Sequence, residues 1–140
     1  MKTRPFRVLA LPFALAGLLA ACSSSPSGAT GKAVLPARTV AAGAVEVTIT
    51  PTRLDSTGAT FSIVLDTHSA DLSVDLATSA VLAVGGTKWT VQSWTGDGPG
   101  GHHRSGKLQF SAKSPPQGTA VLTITGLPEP VEATWQLGGG

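Results

Sequence analysis

The chain has 140 residues, 10 basic against 8 acidic, with only 13% charged residues and a single cysteine, Cys22. One cysteine excludes an internal disulfide, and the absence of a basic patch interleaved with aromatics excludes a nucleic-acid-binding footprint. The length suits one domain rather than two of usual size.

The first predicted element is an export signal. Lys2, Arg4 and Arg7 precede an apolar stretch from Val8 to Leu19. That run is about a dozen residues, against the roughly 20 that a membrane-spanning helix needs. The arginines are not adjacent, which favours the general secretory route over a twin-arginine route. Leu19-Ala20-Ala21-Cys22 then reads as a bacterial lipobox, with Ser23-Ser24-Ser25 behind it. Residues 1–21 are therefore expected to be cleaved as a lipoprotein signal peptide, and Cys22 to carry acyl chains such as palmitate. Several chains on one residue give durable anchoring, because each buried CH₂ contributes about 0.8 kcal/mol and one chain alone is marginal. Lipidation also removes the one thiol. Once Lys2, Arg4 and Arg7 leave with the signal, seven basic residues face eight acidic ones, so the basic character of the precursor belongs to its discarded segment.

Residues 22–43 are expected to form a flexible linker. Ser23 to Gly43 is rich in Ser, Gly, Ala, Pro and Thr, and its sizeable apolar residues are only Val34, Leu35 and Val40. Such a stretch cannot bury enough surface to offset its ordering entropy, and it spans roughly 25 Å as a random coil.

From Ala44 the pattern changes to period two. Val45, Val47 and Ile49 alternate with Glu46, Thr48 and Thr50 until Pro51, and Phe61, Ile63 and Leu65 alternate with Ser62, Val64 and Asp66. Leu72 to Ala77 allows at most one helical turn. Ala80 to Val84 runs through Gly85-Gly86 into Lys88 to Trp94, a hairpin signature. Leu108 and Phe110, Thr119 to Thr125 and Val131 to Leu137 complete seven predicted strands, and Gly138-Gly139-Gly140 is a disordered tail. Seven short strands with turn-punctuated spacing predict an all-β, immunoglobulin-like two-sheet sandwich over residues 44–137. Its expected core is Val47, Ile49, Phe61, Ile63, Leu65, Leu82, Trp89, Val91, Leu108, Phe110, Leu122, Ile124 and Trp135. Trp94 falls out of phase with Trp89 and Val91, which predicts a ring exposed near the end of its strand.

All three histidines fall in two segments, Asp66-Thr67-His68-Ser69 and Pro99-Gly100-Gly101-His102-His103-Arg104-Ser105-Gly106. On this pair of motifs the chain resembles a β-sandwich module of exported prokaryotic proteins and lipoproteins, over roughly Val45 to Leu137. The module has no assigned activity, so the resemblance implies a domain extent and directs attention to the two loops without giving them a reaction.

Two physical readings compete for these loops. In extended backbone Asp66 and His68 point to one side, and His102 or His103 would supply a third ligand, a set suited to zinc or copper. In the structural reading Arg104 pairs with Asp66 or Asp71, and the histidines bond loop carbonyls. The lack of cysteine ligands and of a His-x-x-x-His spacing favours the structural reading. Asp66, Asp71 and Asp75 lack calcium-loop spacing. Gly96 to Gly101 formally matches G-x-G-x-x-G, but no helix follows to receive a phosphate, so its glycines serve a positive-φ loop. Ser69 and Ser105 sit in no nucleophile elbow.

These features together predict a noncatalytic envelope module outside a bacterial membrane (the cell membrane, or the outer membrane where there are two). It is held by an N-terminal lipid and engages an envelope protein or small ligand through Asp66, His68, His102, His103 and Arg104, with no cofactor required. A metal-binding lipoprotein is the alternative.

Overall fold

Period-two alternation from Val45 onward, with an edge strand added before it, builds a single antiparallel sheet. The computed structural model describes residues 34–138, in which eight strands follow one another: β1 (Arg38–Ala42), β2 (Val45–Asp55), β3 (Gly58–Thr67), β4 (Ala80–Val84), β5 (Thr87–Gly96), β6 (His103–Ser111), β7 (Gly118–Ile124) and β8 (Val131–Leu137). One short helical turn, α1 (Leu76–Ser79), precedes β4. The predicted signal peptide, Cys22, the linker up to residue 33 and the tail residues 139–140 lie outside the described residues.

Hydrogen-bonded neighbours run in the order β1-β2-β3-β6-β5-β4-β7-β8, every pair antiparallel. This order overturns the predicted two-sheet immunoglobulin-like sandwich: one eight-stranded sheet curls until β1 approaches β8, giving a nearly closed barrel. At the seam Arg38 Nε donates to the Thr134 carbonyl at 3.3 Å, and Trp135 Nε1 donates to the Pro36 carbonyl at 2.7 Å. Alternation reports which side chains face inward, and that set is the same for a sandwich and a barrel. Which strands pair is decided by the crossovers, here residues 68–79 between β3 and β4 and residues 112–117 between β6 and β7, on which alternation is silent.

Two further expectations change. β1 falls inside the stretch predicted to be linker; as an edge strand it buries only Ala42, so it carries no apolar alternation to reveal it. Nor does Pro51 end β2. A bulge between Pro51 and Arg53 absorbs it, and it lies beyond the start of β1, whose Arg38 pairs with Ile49, so no ladder bond to β1 is lost there.

The interior is filled by side chains, as expected for eight strands. Val47, Ile49, Phe61, Ile63, Leu65, Leu82, Leu108, Phe110, Leu122 and Ile124 are fully buried, and Trp89 and Trp135 nearly so. Phe61 sits between Phe110 and Trp135, with ring centroids 5.9 and 5.3 Å away. Val91 is only half-buried.

Strand direction sorts the connections to two ends. The loop end gathers the β1–β2 turn, the crossover 68–79, the β5–β6 loop and the β7–β8 loop. Bonds from Gly100 N to Leu72 O and from Thr125 N to Ser79 O, each 3.0 Å, tie these segments together. The opposite end, the foot, holds the β2–β3 and β4–β5 turns, the crossover 112–117 and the approach of the chain to Arg38.

Candidate functional site

The end of β3 is shaped by Thr67. Its buried hydroxyl donates to the Ala44 carbonyl at 2.8 Å and accepts from the Ala70 amide at 2.9 Å, which turns the chain out of the sheet and into the crossover. Asp75 then caps α1, accepting from Ala77 N at 3.0 Å. Leu72 ahead of this cap and Leu76 just after it drop into the barrel mouth and are fully buried.

Arg104 holds this plug from below. It is 2% exposed, and its Nη1 donates to the carbonyls of Leu72 at 2.9 Å and Val74 at 2.6 Å, while Nε donates to the Asp97 carbonyl at 3.2 Å. Its guanidinium carbon lies 5.5 Å from the Trp94 ring centroid, a cation–π contact. Arg104 thus bonds main-chain carbonyls rather than Asp66 or Asp71. The Asp97 carboxylate accepts from the Ser105 amide at 2.8 Å and from its hydroxyl at 3.1 Å, and these bonds hold its pKa below the usual 3.8.

Trp94 belongs to the same assembly. A register shift between Val91 and Ser93 places Trp94 opposite inward-facing Leu108, so the ring turns inward and is half-buried against the core. Its Nε1 donates to the Asp97 carbonyl at 3.1 Å. The ring passes over Gly106, where a Cβ would stand 2.6 Å from Trp Cζ2; glycine is required for this approach. The bulge is why phase-counting predicted an exposed ring.

The exposed part of the two motifs forms a row across three strands. Glu46 of β2 pairs in register with Asp66 of β3, and Asp66 with His103 of β6. A 2.6 Å bond joins His103 Nδ1 to Asp66 Oδ1, with the side chains 61% and 52% exposed. That bond, followed by the charge of the same carboxylate, raises the His103 pKa above 6.5. His68 and His102 are exposed, and neither side chain bonds a described residue. Beside the row a half-open cleft of about 350 Å³ lies against the β1–β2 turn, lined by Ala41, Ala44, Glu46, Asp66, Thr67 and His68 among others.

Of the predicted site residues, then, the structure brings Asp66 and His103 together, buries Arg104 and leaves His68 and His102 at the surface. Among the described residues no three His, Cys, Asp or Glu gather as metal ligands. Neither Ser69 nor Ser105 bonds a histidine there. Sequence reasoning missed Glu46, whose place beside Asp66 depends on strand register, and Asp97, whose role depends on the β5–β6 turn closing onto Ser105. Comparison with protein-family models, with curated proteins and with solved structures gave no match.

Proposed function

We propose that this protein is a noncatalytic binding module of the bacterial envelope, lipidated at Cys22 and presenting the loop end of its barrel as the working surface. The observation that carries this reading is the division of labour within the two motifs. Thr67, Arg104, Ser105 and Gly106 are consumed in holding the loop end rigid, whereas Asp66, His68, His102 and His103 are displayed on it. A filled interior leaves the outer surface as the place of recognition. The described chain enters β1 at Arg38 on the foot, the end of the barrel away from the histidines. The ten residues of β3 separate these ends by about 30 Å along the strand.

Photo-crosslinking in cells tests the proposal on the full chain. A crosslinking side chain at His102 or Ser69 is expected to give discrete adducts, and one at Ser56 or Gly86 at the foot is expected to give none. Equal yields from both ends, or no adduct from the loop end, would overturn it. The anchor is tested separately: an alkyne-tagged fatty acid fed to the cells labels the wild type, and Cys22→Ala abolishes the label. Persistent labelling of that variant excludes Cys22 as the acylated residue.

A further inference from the structure

The cleft beside the β1–β2 turn has a chemistry of its own. Its volume of about 350 Å³ lies at the lower end of ligand pockets, suited to a side chain or small molecule rather than a nucleotide or glycan. Glu46 and Asp66 both line it and stand directly opposite each other on neighbouring strands. Like charges so placed, with Cβ atoms about 5 Å apart, repel unless a cation lies between them or beside them. His103 answers part of that charge from the far side, through one oxygen of Asp66 only. Glu46 has no hydrogen bond or ion pair to any described residue, and neither does His68. The remaining wall includes the methyl groups of Ala41 and Ala44.

Resting on the binding-module reading above, we propose that this cleft recognises an alkylammonium group, its charge between Glu46 and Asp66 and its methylene stem along Ala41 and Ala44. A divalent cation fits less well, because it needs more oxygen ligands converging on one point than the two carboxylates provide, and no three ligands gather here. An ammonium makes separate bonds in several directions and brings an apolar stem to cover the alanines. A guanidinium's bidentate fork is open at Glu46 alone, because an Asp66 oxygen is taken by His103, whereas an ammonium can bond both carboxylates at once. The ammonium has two chemical sources, a lysine side chain of a polypeptide or a free aliphatic diamine.

Calorimetric titration of the mature lipidated protein in detergent tests this, with Nα-acetyl-lysine amide and 1,5-diaminopentane as probes and Nα-acetyl-norleucine amide as the uncharged match. At least one ammonium probe is expected to saturate, the norleucine compound is expected not to bind, and the preferred probe identifies the source. Glu46→Gln is expected to weaken binding about tenfold, the loss of one charge-assisted bond. Glu46 is exposed, bonded to no described residue and opposite a like charge, so the thermal midpoint of this variant should not fall below that of the wild type. Failure of both ammonium probes to saturate, equal binding of the norleucine compound, or undiminished binding by Glu46→Gln would each overturn the assignment. Adducts from His102 without ammonium binding overturn the ligand class alone; absence of both results removes the module reading as well.

Discussion

Arg104 is the residue on which the loop end depends. In a guanidinium that is 2% exposed, buried donors need partners: Nη1 finds the carbonyls of Leu72 and Val74, Nε finds that of Asp97, and the face of Trp94 lies beside the charge. Arg104→Met keeps most of the volume but strands the two crossover carbonyls, so it is expected to cost about 3 kcal/mol. Urea unfolding measures this, and a loss within the error of the wild type would show that the crossover does not need the bonds. His103 differs because its partner is exposed. Its folded pKa is raised, first by the bond to Asp66 and then by that carboxylate's charge, above an unfolded value near 6.5. The stabilisation it brings is therefore complete below pH 6.5 and is lost as pH rises through the raised value. Asp97 has the opposite sign: lowered by its Ser105 bonds, it contributes above pH 3.8 and loses that contribution as pH falls through the lowered value. The urea midpoints of wild type and His103→Gln should accordingly differ at about pH 6 and converge toward about pH 9; a gap that stays constant would mean that the Asp66–His103 bond does not form in solution. That both motifs matter was legible in the sequence, because three histidines, an arginine and the glycines crowd into two short segments. The assignment of each residue was not, since inward and outward positions near a bulge or turn cannot be counted from alternation alone.

At the scale of elements, the barrel mouth is closed by a crossover rather than by a strand. Residues 68–79 carry Leu72 and Leu76 inward, and their backbone is held by Arg104 and by Gly100 N. Neither leucine belongs to a period-two run, so a core predicted from strands omits both, whereas most of the strand residues assigned to the core are buried where alternation placed them. Leu76→Ala removes a fully buried side chain from a site where a four-residue helix and the strand mouth cannot both collapse inward. A cost of about 3 kcal/mol is expected, within the range for buried leucine truncations. An unchanged dependence on urea concentration would show that the barrel still unfolds as one unit. A cost near zero would mean that the crossover is not a plug. β1 shows the complementary limit of sequence reading: five residues at an edge, four of them not fully buried, have the composition of a linker and become a strand because β2 offers them a ladder.

Closure of the whole molecule is the feature least legible in the sequence, because it depends on β1 and β8, which are 93 residues apart from the start of one to the start of the other. Within the sheet each ladder is held by backbone bonds along its length, but no backbone ladder joins β1 to β8 among the described residues. Two side chains bridge that seam, Arg38 to Thr134 and Trp135 to Pro36. Local opening follows the weakest cooperative boundary, and here that boundary is the seam. Amide hydrogen exchange is therefore expected to be fastest in β1 and slowest in β3 and β6, which have a bonded strand on either side. Trp135→Phe keeps a ring beside Phe61 but removes the Nε1 bond to Pro36, a loss of about 1 kcal/mol. If the seam is the boundary, that loss speeds exchange in β1 by about fivefold while β3 stays close to its wild-type rate, apart from the smaller global effect. Uniform acceleration in β1, β3 and β6 would instead mean that the barrel opens only by unfolding completely. In that case Trp135 would bind Pro36 as part of one cooperative core, and the seam would be no more labile than the ladders beside it.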